Sequence, residues 1–160
     1  MDHLLLLLML AGVSHALFPA AQTSCNATGN TSHCTSTRGG SVYIQVMTNA
    51  SRHLLLCTKQ LPTGAIDVFT LRKEKVTIQG PFKNRTEFFI NNGTLKITNV
   101  EKSDAGQYKI EIFDQSGFHL RNIEIQLDVQ DNILPILIIV CSAAGLLLIL
   151  VILCCVQWRF

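Results

Sequence analysis

Ile123-Glu124-Ile125-Gln126-Leu127-Asp128-Val129 alternates apolar and polar residues without a break. A period of two sends neighbouring side chains to opposite faces, so this run is a strand with one buried and one solvated face. Ser41–Val46, Thr94–Thr98 and Tyr108–Ile112 carry the same signature. Turn signals separate the runs: Arg38-Gly39-Gly40, Pro62-Thr63-Gly64, Asn91-Asn92-Gly93 and Gln115-Ser116-Gly117. No stretch between them has a helical stripe. Several short strands at this spacing predict an all-β antiparallel sandwich.

Composition at first disagrees with such a domain. The 160 residues are 48% hydrophobic and 15% charged, where a globular domain carries about a quarter charged. The excess lies at the two ends. Residues 1–16 read as a signal peptide: the apolar core Leu4–Val13 is too short to span a bilayer, and Ser14-His15-Ala16 supplies small residues for cleavage after Ala16, with Ala21 as the alternative. Asp2 and His3 replace the usual basic start. Residues 133–156, Ile133–Val156, hold no charge and are long enough for a transmembrane helix. Residues 157–160 would be a cytoplasmic tail, with Trp158 at the interface and Arg159 inside. The expectation is a plasma-membrane, single-pass type I protein in contact with the lipid bilayer. A glycolipid anchor is the alternative, although the polar spacer of such signals is missing after Asp131-Asn132. Cys154 and Cys155, at the inner boundary, are palmitoylation candidates.

Residues 17–132 remain as the outside domain, enough for one core and not two. They hold 12 Lys+Arg and 10 Asp+Glu. So near-neutral a balance argues against a nucleic-acid binder. Five Asn-X-Ser/Thr sequons lie there, at Asn26, Asn30, Asn49, Asn84 and Asn92, each a candidate glycosylation site on an exposed loop or strand edge. Three cysteines lie outside the apolar blocks, so at most one intradomain disulfide forms. Cys25–Cys34 closes a short loop and is the simplest pair; Cys34–Cys57 is the other. His33 and His53 lack zinc-ligand spacing. No nucleophile–base–acid set and no glycine-rich phosphate loop occurs, so neither an enzyme nor a cofactor is expected.

Asp104-Ala105-Gly106-Gln107-Tyr108, with Gly93-Thr94-Leu95-Lys96-Ile97 upstream, resembles the E–F corner and strands E and F of an immunoglobulin domain. The resemblance implies a tyrosine corner at Tyr108 and an Arg85–Asp104 bridge, with Lys83 as the competing partner. It also implies a cysteine two residues after Tyr108 and another on strand B. Those places hold Ile110 and Val46 instead, so aliphatic packing replaces the inter-sheet disulfide. The core tryptophan of strand C is missing, and Cys57 stands near its place.

A V-type domain without that disulfide, with an Asn-Gly-Thr-Leu-Lys-Ile strand E and many sequons, is similar to the first domain of the lymphocyte adhesion receptors. These include the T-cell erythrocyte receptor, its ligands and the SLAM receptors. The likeness runs best from Phe88 to Val129. It implies a flat, charged face made by strands G, F, C and C′, docking another Ig-like cell-surface protein or a second copy. That face would present Lys109, Glu111 and Phe113 from strand F, Asn122, Glu124 and Gln126 from strand G, and Leu56 and Thr58 from strand C. The short tail carries no tyrosine and the span no charge, so intrinsic signalling is not expected. Two further readings stand beside adhesion: a regulatory subunit acting by lateral association through its span, and a decoy or immune modulator of a lymphocyte receptor.

Overall fold

The computed structural model describes residues 21–132 and the helical positions 142, 143, 145–147, 149, 151 and 154. The expected leader at 1–16, the expected tail at 157–160, Cys155 and most of the expected span at 133–156 lie outside the described residues. No helix among the described residues is long and apolar enough to cross a membrane.

Ten strands run in chain order: β1 Gln22–Asn26, β2 Thr31–Thr37, β3 Ser41–Gln45, β4 Leu54–Leu61, β5 Gly64–Arg72, β6 Lys75–Ile78, β7 Thr86–Phe89, β8 Thr94–Ile97, β9 Gly106–Phe113 and β10 His119–Gln130. They form two sheets, one ordered β1-β3-β8-β7 and the other β2-β10-β9-β4-β5-β6. The second sheet has the two extra strands of a V-type sandwich, β5 and β6 in the places of C′ and C″. Val42 and Ile44, Leu95 and Ile97, Tyr108, Ile110 and Ile112, and Ile123, Ile125 and Leu127 are all buried between the sheets. Their period-two spacing is the cause, since one face of every central strand must leave water. Phe69 of β5 stacks on Phe88 of β7 across the gap, ring centroids 4.5 Å apart.

Two departures from plain alternation have local causes. A bulge sets Cys57 opposite Phe69 but Thr58 opposite Asp67, so Val68 is the extra residue and both Val68 and Phe69 are buried. Gly93 sits at φ +57°, and a Cβ there would come within 2.4 Å of Met47. Only glycine lets the β7–β8 turn close on Val46, whose N–H bonds the Gly93 carbonyl at 2.9 Å.

The N-terminal segment is unusual. β1 pairs with β3 in parallel, and β2 pairs with β10 in parallel, so one short segment contributes an edge to each sheet. The disulfide Cys25–Cys34 joins these two edges. Cys57 is left as a free, fully buried thiol.

Candidate recognition face

The corner at the start of β9 fixes the frame on which the face is laid. Arg85 grips Asp104 with both nitrogens, Nη1 to Oδ2 at 2.8 Å and Nη2 to Oδ1 at 2.9 Å. Asp104 Oδ2 also accepts the Glu101 N–H at 2.7 Å. Burial raises the Asp104 carboxyl, but the Arg85 and Glu101 donors outweigh it, and the net shift is below the usual carboxylate range. The Tyr108 hydroxyl donates to the Asp104 carbonyl at 2.6 Å, and burial pushes that phenol up. Lys83 is exposed and stands outside this arrangement.

Sequence reasoning did not single out Lys59. It points inward from β4, 4% exposed, and donates to the Ser103 carbonyl. Burial lowers its pKa, the Asp104 charge opposes that shift, and Arg85 adds to it. The alternation Leu55, Cys57, Lys59 carries the signal that the third member faces the core. Val46 and Ile110 are both fully buried in the same core cluster, Val46 one residue beyond β3. Burial raises the Cys57 thiol, with a smaller push from Asp67, so it packs as an apolar group and is a poor nucleophile.

Outward from this core, the six-stranded sheet presents a continuous face. Ladder pairing sets Glu124 beside Lys109 and Lys109 beside Thr58. In the next row Asn122 lies beside Glu111, and Glu111 beside Leu56. Phe113 pairs with both His119 and Leu54. Lys109 Nζ donates to Glu111 Oε1 at 2.7 Å along β9. Gln126 pairs with Gln107 at the other end of the face. The register thus brings Lys109, Glu111, Phe113, Glu124, Gln126, Leu56 and Thr58 onto one surface.

The β9–β10 loop adds a feature that the sequence analysis missed. Asp114 Oδ1 accepts from the Ser116 N–H, the Ser116 hydroxyl and the Phe118 N–H, at 2.9, 2.6 and 2.8 Å. These bonds, the Ser116 hydroxyl and the Phe118 N–H foremost, hold the carboxyl below its usual range. The locked loop displays Phe118, 70% exposed, and Leu120, 48% exposed. The signal available in sequence was Asp114-Gln115-Ser116-Gly117, which caps its own turn.

All five sequon asparagines are exposed. Asn26 ends β1, Asn30 lies in the β1–β2 turn, Asn49 follows β3, Asn84 precedes β7 and Asn92 lies in the β7–β8 turn. None lies on a strand of the six-stranded sheet. Asn26 and Asn49 each accept from the N–H and hydroxyl of their own sequon Thr28 or Ser51. Among the described residues no group of three or more His, Cys, Asp or Glu is placed to hold a metal.

No protein-family model and no curated protein matches the chain. Solved structures do. The CD2-binding domain of CD58 matches with 21% identity and a TM-score of 0.48, over 68% of this chain and 54% of that one. The chain thus spans about half the length of that structure. The first Ig-like domain of human CD48 antigen matches with 21% identity and a TM-score of 0.50, over 64% of this chain and 86% of that one. The extracellular domain of the voltage-gated sodium channel beta4 subunit, described as a parallel homodimer in cell–cell adhesion, matches with 14% identity and a TM-score of 0.50. That match covers 73% of this chain and 99% of the other. The described domain therefore has the immunoglobulin V-type fold, shared with the CD48 and beta4 domains.

Proposed function

We propose that the chain is a single-pass membrane glycoprotein that recognises another Ig-like cell-surface protein, or a second copy of itself, through the outward face of its six-stranded sheet. In this reading residues 1–16 are a cleaved leader, 17–132 the outside domain, 133–156 the anchor and 157–160 a tail without signalling motifs. Cys154 and Cys155 would carry acyl chains. One observation carries the reading: no sequon asparagine lies on a strand of the six-stranded sheet, and only Asn30, whose carbonyl accepts the Glu124 N–H at the β2 edge, borders it, so glycans would leave the β9–β4 centre of this face bare. A bare, flat face with Lys109, Glu111 and Glu124 beside Leu56, Phe113 and the projecting Phe118 suits fast, selective docking of a folded partner. The adhesion role described for the beta4 homodimer supports the same use of the fold.

The test is the exchange Lys109→Glu with Glu111→Lys, made in the full chain on transfected cells. The exchange keeps the ion pair within β9 and inverts the pattern a partner meets. Loss of binding to lymphoid or like-transfected cells at unchanged surface level is expected. Unchanged binding, with loss only on exchange of residues 133–156, would assign the activity to lateral association through the span.

A further inference from the structure

Charge on this domain is segregated in a way the recognition face does not use. β5 and β6 are joined by Lys73-Glu74, with Arg72 paired to Lys75 across the turn. Leu55 of β4 pairs with Leu71 of β5, so the loop holding Arg52, which leads into β4, ends beside that turn. Arg72, Lys73 and Lys75 therefore gather with Arg52 at one end of the sheet, where the acids are Glu74 in the turn and Asp114, which follows Phe113, the β9 partner of Leu54. The four cations and Glu74 are exposed, and none of the four cations enters an ion pair or a side-chain hydrogen bond among the described residues. With Asp114 counted, this end carries a net +2, as much as the whole of residues 17–132.

The backbone there is also unusual. Four non-glycine residues among those described have left-handed φ, and three belong to this corner: Arg52 at 65°, Lys73 at 50° and Glu74 at 58°. A two-residue hairpin turn with both φ positive favours Asn-Gly, and this chain keeps Lys-Glu. Strain of this kind concentrates where a side chain is needed at a fixed place. Edge protection accounts for Lys75, at the start of the edge strand β6. It does not account for Arg52 or Lys73.

We infer that this corner binds a sulfated glycosaminoglycan chain. Separate, exposed cations without ion-pair partners, three of them on the one β5–β6 turn, match a repeating polyanion better than a folded or peptide partner. The two guanidinium forks suit sulfate oxygens, as they suit phosphate. An anionic bilayer is the less fitting surface. The corner lies at the end where β10 begins, and Gln130, where the chain leaves the domain toward 133–156, is eleven residues beyond His119 along β10, roughly 36 Å. The inference stands apart from the six-stranded face and survives its failure.

The experiment measures binding of a fluorescent heparin oligosaccharide to cells displaying the full chain. Polyglutamate and phosphatidylserine vesicles serve as the rival polyanions. Four charge contacts predict an affinity that falls roughly a hundredfold between about 50 and about 200 mM salt. Arg72→Glu with Lys75→Glu should lower heparin binding about tenfold or more at unchanged surface level, and Lys83→Glu, at the far end, should not. Lys73→Asn separates folding from binding, because it eases the turn and raises Tm while weakening heparin capture. Absence of heparin binding, equal loss in Lys83→Glu, or stronger capture of polyglutamate or vesicles would each overturn the assignment.

Discussion

Asp104→Ala removes the centre of the corner that sets up strand β9. Asp104 is 3% exposed and Arg85 16%, so the pair is largely shielded from solvent. The substitution deletes two hydrogen bonds from Arg85 and one from the Glu101 N–H, and leaves the guanidinium with only the Asn99 carbonyl at 3.1 Å. Breaking such a pair from one side costs about 3–5 kcal/mol. In a domain of this size that lowers Tm by roughly 15 °C or more. Arg85→Ala should cost less, about 2–3 kcal/mol, because Asp104 keeps its backbone donor and the nearby Lys59 charge. Removing both partners should cost less than the sum of the two, with a coupling of about 2 kcal/mol. The assay is denaturant unfolding of the purified chain followed by circular dichroism. The pH dependence has a definite sign. Asp104 is held below its unfolded value of about 3.9. Its stabilisation is therefore complete above roughly pH 5 and is lost as pH falls through the folded value. The stability gap between the parent and Asp104→Asn should close in acid. A cost below about 1 kcal/mol, strict additivity, or a gap that persists at low pH would refute this reasoning.

Three further outcomes follow from the core and its cysteines. Replacing Cys25 and Cys34 by Ser opens the loop between β1 and β2 and should cost about 2–3 kcal/mol, read by thermal unfolding. Cys57 should resist alkylation in the native protein and react once the chain is unfolded, read by mass spectrometry, since it is buried and its thiol raised. Val46→Cys with Ile110→Cys should form the missing inter-sheet bridge, seen as a two-proton mass loss that reductant reverses, with a gain of up to about 4 kcal/mol.

The parts of the fold that can be read from sequence are those where burial is one-sided. Strands β3, β8, β9 and β10 alternate because one face packs and the other is wet, and their ends lie within a few residues of the runs seen in the sequence. β1 and β2 carry Gln-Thr-Ser-Cys-Asn and Thr-Ser-His-Cys-Thr-Ser-Thr, polar on both faces apart from the cysteines, so no alternation marks them. Their parallel pairing with distant strands is set by the disulfide and the sandwich edges rather than by local pattern. In β5 the bulge at Val68 puts two buried residues in succession and breaks the period. The corner at Tyr108 was legible because Asp-x-Gly-x-Tyr is a compact chemical unit. Residues of the candidate face were reachable only through the strand positions implied by that unit. Phe118 was not, because its exposure depends on how Asp114 closes the loop. The inward Lys59 is tolerated for a tertiary reason, the Ser103 carbonyl and the Asp104 charge that meet it.

In the proposed function the outward face of the six-stranded sheet does the recognising. Glu124→Asn with Gln126→Thr writes a sequon into the middle of that face, at a position that is exposed and paired with Lys109. Cell binding by the full chain is then compared with that of the parent, with the added glycan verified by a mass shift and surface level held equal. The new glycan is expected to abolish binding, while removal of the Asn92 sequon leaves it intact. Binding that persists with the glycan in place would contradict it.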